Sequence, residues 1–235
     1  MKQSTEALDC HGMQARWLQR TVTLAMVDFN RIYSQDEASF GVELTPGLEK
    51  VLSQLHSQSV ALELGCGDGR DALHIVKHVD KLDCVDKSSV GLSKLLRRAQ
   101  RVGVADKIRT FCGDVSELKL NYGAYDLIVS VTLFDHLWRS DAISSISQML
   151  EKLRAGAWVF VQVHTVEDPA YSGGGAKSEY SGAIKTYFRP GELLSLIPSN
   201  YYLRFYEERV ELDADHGEPH NHGFAVAICK KLSEK

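Results

Sequence analysis

Residues 60–70 read VALELGCGDGR. Val60, Ala61, Leu62 and Leu64 form an apolar run, and Gly65, Gly67 and Gly69 follow at every second position. An apolar run that breaks into alternating glycines predicts a buried strand, a tight turn and then a helix. Glycine is needed where φ turns positive or where a ligand lies against bare backbone. The free N–H groups of such a turn, and of the helix start behind it, face that ligand. This turn is therefore expected to hold a small molecule.

A dinucleotide is the first candidate. Its fingerprint, G-x-G-x-x-G/A, needs a small third residue so that helix and strand close on the pyrophosphate. Here that position is Arg70, long and charged. The spacing is G-x-G-x-G, with Glu63 just ahead of it. This pattern resembles motif I of the class I S-adenosylmethionine (SAM) methyltransferases, in which no pyrophosphate is cradled.

Outward from the turn, strands and helices alternate. Strands are expected at Val60–Leu64, Leu82–Val85, Lys107–Cys112, Tyr125–Val131 and Ala157–His164. Helices are expected from Thr45-Pro46 to His56, from Arg70 to His78, after Ser88 as far as Gly103, and from Asp141 through Leu153. Thr45 reads as an N-cap with Pro46 at the first helical position. Alternation of this kind builds a parallel sheet with right-handed crossovers. The tail breaks it: after a short helix at Pro190–Ile197, Tyr201–Leu212 and Phe224–Lys230 are successive strands, hence a hairpin. Ahead of the core, Leu18, Val22, Ala25, Phe29 and Ile32 make one stripe of a helix over Ala15–Tyr33. The expected fold is α/β and doubly wound: a Rossmann-like seven-stranded sheet, mostly parallel with a C-terminal antiparallel hairpin, under a helical N-terminal cap. One domain is expected over residues 1–235. Residues 1–45 would be cap and lead-in loop, and 46–235 a core with a lid loop at 166–189.

Composition sets bounds. The chain has 235 residues, 44% hydrophobic and 25% charged, so a sizeable core is expected and disorder is not. A net charge of −4 argues against a nucleic-acid partner. No apolar run approaches the ~18 residues of a membrane span. The five cysteines Cys10, Cys66, Cys84, Cys112 and Cys229 contain no C-x-x-C pair. They read as reduced, buried thiols of a cytoplasmic protein.

In a doubly wound sheet, ligands sit beyond the carboxyl ends of the strands. Asp86 closes the second strand, where a carboxylate can accept both ribose hydroxyls of an adenosine. The methyltransferase resemblance implies that Asp114 meets the adenine amino group and that the Val115 N–H meets the ring. It implies SAM as cofactor and S-adenosylhomocysteine as product. The cofactor set is then Glu63, Gly65, Cys66, Gly67, Gly69, Arg70, Asp86, Lys87, Asp114, Val115, Ser130 and Val131. The resemblance covers residues 29–230. With the lead-in FNRIYSQDEASFGVELTP (29–46), the core GCGDGRDAL and the tail RPGELL (189–194), it is strongest to the bacterial small-molecule group, tellurite-resistance and thiopurine-like. The fourth-strand end, SVTLFDHL, lacks the N-P-P-Y type motif of nucleic-acid amino-methyltransferases.

Small-molecule methylation is the expected function. A non-catalytic SAM-binding regulator and a methyltransferase acting on a macromolecule are the alternatives. Tyr33, Phe40, His136, Trp138 and Tyr171 are the candidate substrate residues, with His136 as the candidate catalytic group. The partner is expected to be a small-molecule acceptor, with no nucleic acid, no membrane, and a monomeric or homodimeric state. Lys94, Arg97, Arg98 and Arg101 read as a solvated helix face, and His74 and His78 as solvated. The segment DADHGEPHNH (213–222) reads as a polar hairpin connection, and no metal site is expected.

Overall fold

The computed structural model describes residues 28–35, 38–117, 119–171, 184–213 and 219–233. Seven strands run in the order β3-β2-β1-β4-β5-β7-β6. They are β1 (Val60–Leu64), β2 (Lys81–Asp86), β3 (Ile108–Cys112), β4 (Leu127–Val131), β5 (Trp158–His164), β6 (Tyr201–Asp213) and β7 (His220–Lys231). The first five pair in parallel, and β7 pairs antiparallel with both β5 and β6. The expected parallel sheet with its terminal hairpin is thus present. Chain order reverses between β1 and β4, so the crevice at the switch point opens beside the glycine turn.

Both faces of the sheet are covered, which is why β5 is buried along its whole length and is apolar from Trp158 to Val161. One face packs under α5 (Arg139–Lys152) through Ala142, Ile146, Met149 and Leu150. The other packs under α2 (Glu49–Leu52), α3 (Ala72–Ile75) and α4 (Ser89–Arg101). α4 has both expected ends: the Ser88 hydroxyl accepts the Gly91 N–H at 3.0 Å, and Gly103 turns to φ 73° beyond its last turn. α1 (Phe29–Gln35) packs on α4. The rest of the expected cap helix, residues 15–27, lies outside the described residues. Helix α6 (Glu192–Ser195) precedes the hairpin.

Several boundaries move. α2 and α3 are single turns, shorter than their apolar spacing suggests. Thr45 does not cap α2. Its hydroxyl donates to Asp71 Oδ2 and accepts from Arg70, tying the lead-in loop to the glycine turn. β7 begins at His220, so His220 and His222 lie in a buried strand and not in a polar connection. Arg98 is not solvated: it reaches the Asp68 carbonyl at 3.0 Å and pairs with the Asp68 carboxylate at 3.4 Å. His74 is half-buried, with Nε2 2.9 Å from the Val42 carbonyl. Cys66, Cys84 and Cys229 are buried free thiols, as expected, but Cys112 is exposed. Among the described residues no helix is long and apolar enough to cross a membrane.

Candidate active site

The glycine turn hangs from the end of β2. The N–H groups of Gly65 and Cys66 both donate to the Val85 carbonyl, and the Gly67 N–H donates to Asp86 Oδ2 at 2.8 Å. Asp86 Oδ1 accepts the Ser88 N–H at 2.7 Å. Asp86 therefore shapes the turn as well as standing beside the crevice. Burial raises its carboxyl pKa above the ordinary value, against the pull of those N–H groups. Gly65 and Gly67 have φ 75° and 53°. A Cβ on residue 67 would sit 2.3 Å from the Tyr33 phenol oxygen, and one on residue 65 would sit 2.9 Å from Leu133 Cβ. Glycine is required at both positions for conformation and for close approach.

One pocket runs along the carboxyl ends of the strands. Its wall includes Gly65, Cys66, Gly67, Arg70, Asp86, Lys87, Asp114, Val115 and Val131 of the expected cofactor set. Gly69 does not line it; a Cβ there would strike Leu95 of α4. Ser130 is fully buried and also stands outside the lining. Its neighbour Thr132 lines the pocket instead, at φ 51°, a conformation uncommon for a β-branched residue. Asp114 is half-buried, and its Oδ1 accepts both the N–H and the hydroxyl of Ser116. Burial pushes its pKa up, but these bonds hold it below the ordinary carboxylate range.

Glu63 lines the pocket from within β1, and its Oε2 has no hydrogen-bond partner among the described residues. Burial, then Asp71, pushes its pKa well above the ordinary value. A buried carboxylate oxygen facing the crevice calls for a cationic or donor group from a ligand. The ammonium of a bound amino acid satisfies that demand. SAM fits this donor set: bare turn backbone, a buried acceptor, and carboxylates at the ends of β2 and β3.

At the other end, Phe29, Phe40, His136, Gln162, His164 and Lys185 line the wall. Phe29 meets the His136 ring edge-on at 5.0 Å, and Tyr33 meets Phe40 at 5.8 Å. Gln162 Oε1 is buried with no hydrogen-bond partner among the described residues. Of the expected substrate residues, Tyr33, Phe40 and His136 are gathered here. Trp138 and Tyr171 are not. Both are more than half exposed and lie outside the pocket; Trp138 sits under the Lys185 ammonium and Tyr171 packs on Tyr187. Most of the expected lid, residues 172–183, lies outside the described residues.

Residues 61–156 match a family model described as a methyltransferase domain. Those residues, less than half of the chain, carry its likeness in sequence to a methyltransferase domain. The chain is 29% identical over 111 residues to ajmaline N-methyltransferase of Rauvolfia serpentina, across 46% of this chain and 36% of that protein. It is 35% identical over 83 residues to sarcosine/dimethylglycine N-methyltransferase of Aphanothece halophytica, across 35% of this chain and 27% of that protein. The chain thus spans about a third of the length of these curated relatives. The solved structure of TehB from Haemophilus influenzae superimposes with a TM-score of 0.65 at 19% identity, over 80% of this chain and 62% of that one. That likeness is one of fold.

The pocket holds a group that the glycine motif does not reveal. Asp135, fully buried after β4, accepts the backbone N–H of His164 at 3.0 Å and stands 2.8 Å from His164 Nδ1. His164 ends β5 and lines the pocket. The strand-end rule that singled out Asp86 and Asp114 points equally to His164. Its partner Asp135 is visible in sequence only as one acid in SVTLFDHL.

Proposed function

We propose that this chain is a SAM-dependent methyltransferase acting on a small-molecule acceptor. The observation that carries the reading is one pocket with two chemically different ends. Asp86, Asp114 and Val115 suit the adenosine, the Gly65–Gly67 backbone and Glu63 suit the amino-acid part, and the His136 end is left for an acceptor. SAM supplies an electrophilic methyl on a sulfonium, which passes to the acceptor by in-line displacement. The protein's share is alignment and exclusion of water. Phe29, Tyr33 and Phe40 lie over the crevice from the N-terminal side and suit that exclusion. Gln162 offers the acceptor a buried hydrogen-bond acceptor, and His136 an imidazole for an acceptor that must lose a proton.

A compact acceptor suits a pocket roofed by aromatic rings better than a polymer does. The two curated relatives bear the names of small-molecule N-methyltransferases, which agrees with this class. We propose no nucleic-acid or membrane partner. The test supplies labelled SAM with small thiols, amines and carboxylates in one arm, and with bulk RNA, DNA and cell protein in the other. Label should enter the small molecules, with S-adenosylhomocysteine formed in step. Label entering mainly macromolecules overturns the acceptor class. SAM binding without turnover in any arm supports the regulatory alternative.

A further inference from the structure

Three buried residues from separate parts of the chain meet behind the acceptor end of the pocket: His164, Asp168 and His222. His164 closes β5, Asp168 stands in the turn four residues on, and His222 lies on β7 beside it. One donor atom from each falls within 4.8 Å of the other two. His222 Nδ1 is 2.8 Å and His164 Nε2 3.9 Å from Asp168 Oδ2. A Cβ at Gly223 would lie 2.4 Å from the Asp168 amide nitrogen, so bare backbone lets this turn close on β7.

Two further observations point to a ligand. Asp135 Oδ2 stands 2.8 Å from His164 Nδ1. A carboxylate there accepts a hydrogen bond from Nδ1–H and so leaves Nε2 with its lone pair toward Asp168. Histidines that bind metals are oriented in this way. The second is charge. Asp135 and Asp168 are 0% and 2% exposed, with no Lys or Arg side chain bonded to either carboxylate among the described residues. Two buried carboxylates need compensating charge.

We propose that His164, Asp168 and His222 form a binding site for a divalent metal ion of the zinc class, with Asp135 orienting His164. Two histidines and one carboxylate, with a further position open, match the ligand set of catalytic zinc. Ligand atoms about 2.1 Å from one ion lie about 3.4 Å apart in a tetrahedral site, so the 2.8 and 3.9 Å spacings each close with a shift of roughly half an ångström, and the widest, within 4.8 Å, with a larger one. His164 belongs to the pocket wall, so the open position faces the acceptor end. An oxygen or nitrogen of the acceptor can take it. The metal site stands on its own geometry; only its service to the acceptor rests on the function proposed above.

The test uses the full chain, stripped with a chelator and dialysed against micromolar zinc or cobalt. Wild type should retain one equivalent, and the cobalt form should show a visible spectrum that azide perturbs through the open position. His222→Ala should lower metal affinity more than tenfold. Asp135→Asn keeps all three ligands and should lower it about tenfold to a hundredfold, the cost of losing an orienting carboxylate. His78→Ala, on the surface, should bind as wild type. Wild type that retains no metal, or variants that bind as tightly as wild type, overturn the site. A cobalt spectrum blind to azide overturns the open position. A SAM-induced rise in melting temperature confirms that each variant is folded. If SAM fails to bind wild type while metal binds, the cofactor reading falls and the metal site stands.

Discussion

The phenol of Tyr33 fills the space that a side chain on residue 67 would need: a Cβ there would lie 2.3 Å from the phenol oxygen. Gly67→Ala therefore adds a clash to a strained φ, and Tyr33 must swing out of the pocket to relieve it. SAM affinity should fall at least tenfold. Tyr33→Ala alone should cost less, and the double variant should bind SAM better than the two losses added together. Calorimetry on the four proteins measures that coupling. Strict additivity would show that Tyr33 and the turn act independently.

Glu63 sets stability against binding. Burial raises its pKa well above 4.5, so the folded state holds a proton that the unfolded state releases. Stability is then lost as pH rises from the ordinary glutamate value through the raised one. Glu63→Gln removes this loss. The ligand-free variant should melt higher than wild type, and the gap should widen as pH rises across that window. The same change weakens the contact proposed for the SAM ammonium, and affinity should drop about tenfold, the scale of a charge-assisted bond. Melting curves at several pH values, with and without SAM, check both signs. A variant that melts lower than wild type without ligand would show Glu63 to be structurally paired.

Asp83 tests stability away from the pocket. Its buried carboxylate accepts Arg109 through two bonds of 2.7 Å and the Tyr125 hydroxyl at 2.7 Å. Tyr125→Phe removes one donor from a buried charge, and the cost should be about 1–3 kcal/mol. Denaturant unfolding should show a lower midpoint at unchanged slope, with SAM affinity unaltered. A loss of SAM affinity would tie this strand pair to the site.

The turn and the strand ends were legible because they follow local rules: glycine spacing, apolar runs, and one acid closing β2. The sheet order followed from alternation and from two successive strands at the tail. Arg98 was misread because helical periodicity assigns a face but does not know that Asp68 in the glycine turn reaches across to it. The place of His222 is hidden because the composition of the segment 213–222 is polar, whereas β6 pairs with β7 as far as Asp213–His220 and carries the strand past Phe224, where the pairing with β5 ends. Such long-range pairing leaves no periodic trace in a short segment. Proximity along the chain does not fix where a ring points, and Trp138 and Tyr171 stand outside the pocket lining.

The two groups of aromatic and imidazole residues around the pocket should separate in kinetics. Phe29 and His136 touch each other edge-on inside it, whereas Trp138 and Tyr171 lie on its outside. Phe29→Ala empties part of the acceptor wall and should raise the acceptor KM severalfold, with SAM affinity changed less. His136→Ala should raise the acceptor KM as well. If His136 also takes the acceptor proton, kcat should fall by a further hundredfold or so. A residual rate that rises with buffer base would identify that step, whereas a change confined to KM assigns His136 to packing. Trp138→Ala and Tyr171→Ala should leave kcat and both KM values within about twofold, as exposed substitutions do. Steady-state kinetics on the four variants decides it. A large kcat loss in Trp138→Ala would mean that the outer surface around Lys185 closes over the acceptor during turnover.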